Sequence, residues 1–130
     1  MRYPSGREDS TYTILDSVTA IEPEAFYGND KLQELTIPES VTKIGSIAFS
    51  GCSNLTKVII PRTVTSIGYY AFWYCSSLTS IEIPDSVTSI GDSAFSDCTS
   101  LTSITIPEGV TSIDISAFSN CTSLKGITVD

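Results

Sequence analysis

Residues able to do chemistry are unevenly supplied in this 130-residue chain, which has four cysteines, 15 aspartates and glutamates, and no histidine. The cysteines, Cys52, Cys75, Cys98 and Cys121, follow one another every 23 residues. As a zinc site, four thiolates would have to converge on one point from different directions. Regular spacing places them instead in a straight row, which at a strand separation of about 4.8 Å spans about 14 Å and cannot close a tetrahedron. No metal or cofactor site is read from them. Neighbouring cysteines would come near enough for a disulfide by Cα separation, but parallel side chains keep Cβ atoms farther apart than a bridge prefers. A nucleophilic cysteine lacks the histidine that would serve as its base. The preferred reading is a row of buried free thiols that act as small apolar fillers and react slowly.

The acidic residues admit two chemistries, a glycosidase carboxylate pair or a calcium loop. Glu39, Asp85 and Glu108 share one row with Arg62, while Asp92, Asp97 and Asp114 fall near a second corner. Neither group shows the alternating Asp-rich spacing of a calcium loop, so both read as a solvated polar edge. With no phosphate-cradling glycine loop either, no catalytic residue is assigned and the chain reads as a non-enzyme. The net charge of −8 argues against binding nucleic acid or anionic membrane. No apolar run is long enough to insert into a bilayer, and the opening stretch MRYPSGREDS has no signal-peptide core.

The third candidate is aromatic. Residues 67 to 75, IGYYAFWYC, hold five aromatic rings in a chain otherwise dominated by Ser, Thr and Ile. Which of those rings are core and which are free to meet a partner depends on the elements that carry them.

Those elements come from an internal repeat. Leu32, Leu55, Leu78, Leu101 and Leu124 recur every 23 residues. The same shift superposes Pro38, Pro61, Pro84 and Pro107, then the valine row from Val18 to Val110 and the isoleucine row from Ile21 to Ile113. Five Ala-Phe pairs, Ala25-Phe26 to Ala117-Phe118, precede the cysteine row, in which Asn29 takes the first place. Units begin near residues 9, 32, 55, 78 and 101, giving 9–31, 32–54, 55–77, 78–100 and 101–123, with a partial unit at 124–130. Each unit is too small to bury its own core and must stack on its neighbours, so residues 1–130 form one solenoid domain. Ile81 and Ile83 alternate with Ser80 and Glu82, the period of a half-buried strand, and Pro84 ends it. The stretch from Val87 to Ile90 predicts a second, shorter strand. Ala94, Phe95 and Cys98 have the spacing of one helical turn, so the fold class expected is an α/β solenoid. It has parallel strand ladders and short helical turns on the opposite side. The threonine row Thr19, Thr42, Thr65, Thr88 and Thr111 needs no function beyond stacking along the rungs.

The Leu-x-x-Ile-x-Ile strand, its proline, the Ser-Val-Thr-x-Ile-Gly corner and the Ala-Phe-x-x-Cys turn resemble the BspA-like leucine-rich repeats of bacterial and protist surface proteins. The resemblance runs over residues 12–130. It implies a right-handed leucine-rich-repeat array, part of a longer exposed protein at the cell surface or secreted. It also implies a role in attachment to a protein or glycan partner, host-derived in some members. No catalytic residues are shared across that family, and its members differ in partner.

The repeat divides the aromatic stretch. Ile67, Ala71, Phe72 and Cys75 are core rows, whereas Tyr69, Tyr70, Trp73 and Tyr74 replace Asp92, Ser93, Ser96 and Asp97 of the next unit. On a helical turn Tyr69 would pair with Trp73 and Tyr70 with Tyr74, and Tyr27 falls in the Trp73 row. Two readings stay open, an exposed patch that binds a partner and local packing between turns, since Ile47 and Ile115 occupy the Tyr70 and Tyr69 rows. The open face of the main strand ladder is the other candidate surface, with Lys57, Ile59 and Glu82 its least generic members. Glu34 or Glu82 pairing with Lys57 would be worth about 0 to 1 kcal/mol at the surface. At the ends, Asp9 and Glu22 make the first unit polar, as a cap is. The final LKGITVD leaves a strand edge open to further repeats or to self-association. A recognition module and a self-assembling spacer are therefore both compatible with the sequence.

Overall fold

Each 23-residue unit closes one turn of a solenoid because its two β-branched stretches pair with the same stretches of the unit beside it. The computed structural model describes residues 10–129, apart from the side chain of Ile115, so Asp9 lies outside the described residues. The main strands are β1 (Thr11–Thr13), β3 (Glu34–Thr36), β5 (Lys57–Ile59), β7 (Ser80–Glu82), β9 (Ser103–Ile106) and β10 (Ile127–Val129). Shorter strands at the next corner are β2 (Ala20–Ile21), β4 (Lys43–Ile44), β6 (Ser66–Ile67) and β8 (Ser89–Ile90). Pairing is parallel throughout and shifted by one unit, as in Leu35↔Val58, Ile81↔Ile104 and Ile44↔Ile67. Alternation works as the sequence implies: in β7, Ile81 is buried between exposed Ser80 and Glu82. After each proline the chain turns tightly, with the Val64 N–H donating to the Pro61 carbonyl at 3.2 Å and Val87 to Pro84 at 3.1 Å. The threonine row then stitches the short ladder: Thr65 donates both its N–H, at 2.9 Å, and its hydroxyl, at 3.3 Å, to the Thr42 carbonyl.

The outer side is not helical, which corrects the α/β expectation to a β-solenoid. In the third unit the N–H groups of Ala71, Trp73 and Cys75 close three successive tight turns on Gly68, Tyr70 and Phe72, at 3.2–3.3 Å. The alternate N–H groups, on Tyr70, Phe72 and Tyr74, donate to Asp92, Ala94 and Ser96 of the next unit at 2.8–3.0 Å. A helix would use every N–H within its own unit, whereas here half of them tie unit to unit. Two rows take a left-handed backbone to do so, as the third residue of a type II turn must. One holds Glu24, Ile47, Tyr70 and Ser93, the other Gly28, Gly51, Tyr74, Asp97 and Asn120. The one helical segment among the described residues is a 3-10 helix at Ile115–Phe118.

The core is a set of stacked rows. Phe26, Phe49, Phe72, Phe95 and Phe118 stack nearly parallel, with centroids 5.1 to 5.8 Å apart, and Tyr12 meets the end of that stack edge-on at 6.0 Å. Cys52, Cys75, Cys98 and Cys121 are free thiols. Each donates its S–H to a phenylalanine carbonyl of the preceding unit, at 3.0 to 3.2 Å. Burial raises the thiols of Cys52 and Cys98 to about 12, and raises Cys75 well above the ordinary range. Asn29, which holds the cysteine place in the first unit, accepts the N–H groups of Lys31 and Leu32 at 3.0 Å, a local Asx cap.

Two irregularities interrupt this regularity. Gly45, Gly68 and Gly91 lie so close to the preceding unit that an added Cβ would sit 2.2–2.8 Å from its backbone atoms. Asp114 occupies the same row. There the short ladder stops at β8, and Ile113 is 39% exposed where Ile90 is 7%. The chain swings out into the 3-10 helix, which Asp114 caps by accepting the Ser116 N–H on its carboxylate at 2.8 Å. The second irregularity is a break in the pairing of the main ladder, between β1-β3-β5 and β7-β9-β10, although β5 and β7 still lie side by side.

Candidate functional site: an aromatic surface on the third turn

The outer turns of residues 68–75 place side chains outward and inward in pairs, because each tight turn reverses the chain over two residues. Ala71, Phe72 and Cys75 fill the core, while Tyr69, Tyr70 and Tyr74 are exposed and Trp73 is half-buried. The four rings touch in chain order: Tyr69 meets Tyr70 at 5.9 Å, Tyr70 meets Trp73 at 5.7 Å, and Trp73 meets Tyr74 at 5.8 Å, each edge to face. The Tyr69–Trp73 and Tyr70–Tyr74 pairs expected of a helical turn are replaced by these contacts, since the turn is not a helix. Edge-to-face contacts of this kind stabilise a cluster by about 0.5–1.5 kcal/mol per pair.

Trp73 is fixed from beyond its own unit. Its indole N–H donates to the Asp97 carboxylate at 2.8 Å, and the other carboxylate oxygen accepts from the Asn120 amide at 3.0 Å. The Ser96 hydroxyl donates to Asp97 at 3.2 Å. These bonds, that of Trp73 foremost, hold the Asp97 carboxyl below the usual aspartate value. Trp73, Asp97 and Asn120 come from three successive units, so the indole orientation is a property of the stack. Tyr27, two units away in the Trp73 row, is also exposed, and Ser50, the residue between them in that row, is buried. Sequence reasoning picked out the rings and missed Asp97 as their anchor. Its signal was the Tyr74 row itself, where Gly28 and Gly51 give way to Tyr74, Asp97 and Asn120.

On the strand face Lys57, Ile59 and Glu82 are all exposed, Ile59 to 47%. Glu34 lies opposite Lys57 in register. Lys57, Ile59 and Glu82 line one groove of about 670 Å³ together with Arg62 and Asp85, a feature no sequence pattern announced. Among the described residues, no group of three or more His, Cys, Asp or Glu side chains is placed to hold a metal ion. No helix among them is long and apolar enough to cross a membrane.

Residues 10–130 match the family model described as BspA type leucine rich repeat region, in six copies. The chain belongs to that family. Its fold is close to a leucine rich cell surface protein from Faecalibacterium prausnitzii, with a TM-score of 0.94 and 42% identity over 98% of this chain and 34% of that one. The T. pallidum leucine rich repeat protein matches at a TM-score of 0.90 and 31% identity, covering 93% of this chain and 59% of its own. A leucine-rich repeat protein from Bacteroides ovatus matches at 0.87 and 38% identity, over 91% of this chain and 33% of that one. The chain thus spans between a third and three fifths of the length of these proteins. A comparison with curated protein sequences gives no match.

Proposed function

We propose that this solenoid is a non-enzymatic recognition module of an exposed protein, at the cell surface or secreted, and that Tyr69, Tyr70, Trp73 and Tyr74 form its contact surface. The observation that carries the reading is that four touching rings, three of them exposed, stand where the next unit has Asp92, Ser93, Ser96 and Asp97, with the indole anchored by Asp97. Exposed Tyr and Trp in a preorganised cluster give large contact area at small cost in side-chain entropy. A protein surface or the face of a sugar ring suits such a cluster, and residues 1–130 would act as a segment of a longer array. Exposed Ile127 and Val129 on β10 support a second reading, a spacer that self-associates through that strand.

Sedimentation over a range of concentrations separates the two readings, using wild type and the W73S/Y74S double variant. Monomers in both leave the aromatic surface free for an outside partner. Dimers that persist in the variant favour the β10 edge, and dimers lost in it make the rings a self-association surface.

A further inference from the structure

The outer turns carry charge of one sign only. Across residues 22–29, 45–52, 68–75, 91–98 and 114–121 the charged side chains are Glu22, Glu24, Asp92, Asp97 and Asp114, with no lysine or arginine among them. Among the described residues, Lys43 and Lys57 lie in the strand ladders, and Lys31, Arg62 and Lys125 in the links that flank them. Two of the outer carboxylates border the aromatic surface directly. Asp92 follows Tyr69 one rung on in the same row, and its carbonyl accepts the Tyr70 N–H at 3.0 Å. Asp97 stands in the same relation to Tyr74 and holds the Trp73 indole at 2.8 Å. Asp114 lies next to Asp92.

What this surface can offer a ligand depends on which of its groups are already engaged. The indole N–H, the single donor of Trp73, is committed to Asp97. Ring faces, tyrosine hydroxyls and carboxylates are left toward solvent, with Tyr69 52% and Tyr74 53% exposed. A carboxylate has about four acceptor positions, and the bonds from Trp73, Asn120 and Ser96 leave Asp97 room for another. The negative face of an aromatic ring and a carboxylate both attract a cation. Because neighbouring rings touch edge to face at 5.7 to 5.9 Å, they form a continuous surface rather than a cage around a compact ammonium. A planar guanidinium can lie flat on such a surface while its in-plane N–H groups reach the carboxylates along the border.

We propose that the partner of this surface is a protein with an exposed arginine-rich segment, whose guanidinium groups stack on Tyr69 and Tyr74 and donate to Asp92 and Asp97. The inference rests on the reading of the rings as a contact surface and narrows it, from any protein or glycan to a basic protein. A neutral or acidic partner would bring no counter-charge to Asp92, Asp97 and Asp114 and would leave them facing one another across a drier interface. Asp97 then serves twice, orienting the indole and accepting from the ligand.

The test is a titration of the full chain followed by amide NMR and by the emission of Trp73. The probes are a capped pentapeptide alternating glycine and arginine, the same peptide with citrulline for arginine, and neutral cellotetraose. The arginine peptide should give saturable shifts at residues 69–74 and 92–97. Binding should weaken by about tenfold with citrulline, which keeps the shape and removes the charge. In Asp92→Asn it should weaken by about threefold, and Tyr74→Ser should weaken it as well. Glu39→Gln, the same change of charge at an exposed site on another corner, should bind as wild type does. Equal binding of the citrulline peptide would overturn the proposal, as would a Glu39→Gln effect as large as that of Asp92→Asn or shifts that miss residues 69–74. Shifts at the rings from cellotetraose alone would overturn the basic partner while leaving the contact surface intact, and shifts there from none of the three probes would count against both.

Discussion

Changing Gly68 to alanine tests whether the short ladder depends on close backbone approach. The new Cβ would lie 2.5 Å from Ser46 N and 2.7 Å from Ser46 Cα, both backbone atoms that no side-chain rotation can clear. Restoring ordinary contact requires the second and third units to part locally by about 1 Å, which forfeits much of the dispersion contact across that gap. The Gly68 N–H bond to Ile44 O, at 2.9 Å, and the adjoining Lys43↔Ser66 pairing would be strained or lost. Two backbone bonds at about 1 kcal/mol each and overpacking of about 1–3 kcal/mol give a loss of about 3–5 kcal/mol. Asp114 illustrates the outcome, since the chain leaves the ladder where that row ceases to be glycine. The assay is urea unfolding followed by circular dichroism, with Gly28→Ala as the control. At Gly28 nothing lies within 4 Å of the added Cβ, and only its φ of +70° opposes it, for about 1 kcal/mol. A Gly68→Ala loss no larger than that of Gly28→Ala would refute the close-approach argument.

Other outcomes follow from Asp97 and the thiols. Asp97→Asn should shift the emission of Trp73, the single tryptophan, while changing stability by about 0.5 kcal/mol or less, since the carboxylate is largely solvated. Because the Asp97 pKa is lowered on folding, its stabilisation is present above the unfolded aspartate value and is lost as pH falls through the lower folded one. An acid titration of Trp73 emission should therefore show a midpoint below the usual aspartate range, and a midpoint within that range would contradict the bond. With an aromatic disulfide reagent under native conditions, half-buried Cys121 should react first, and Cys52, Cys75 and Cys98 only as fast as the chain unfolds. The raised thiols of Cys52 and Cys98 contribute stability that is full below about 8.5, the unfolded thiol value. That contribution is lost as pH rises toward their folded value of about 12, so unfolding midpoints should fall over that alkaline window.

The strands were legible because period-two alternation, proline and a fixed repeat act together. Ile81, Ile83 and Pro84 specify an edge, a face and a stop without reference to the rest of the chain. The outer turn was misread because Ala94, Phe95 and Cys98 satisfy a helical spacing and a run of tight turns equally well. What separates the two is backbone sign. Gly28 and Gly51, followed in the same row by Asp97 and Asn120, are residues suited to positive φ, and that column carried the information. The break in main-ladder pairing had no such column, since β5 and β7 share the strand pattern of their neighbours. Lys57, Ile59 and Arg62 marked the place only as departures from the repeat.

The measurement closest to the central claim is the affinity of the chain for a partner drawn from a panel of extracellular proteins and glycans. Wild type would be compared with Tyr74→Ser and with W73S/Y74S, the folding of each checked by circular dichroism. Recognition through the third-turn rings predicts saturable binding that falls by about tenfold or more in Tyr74→Ser and by about a hundredfold or more in the double variant. Binding that is unchanged in folded variants would contradict it.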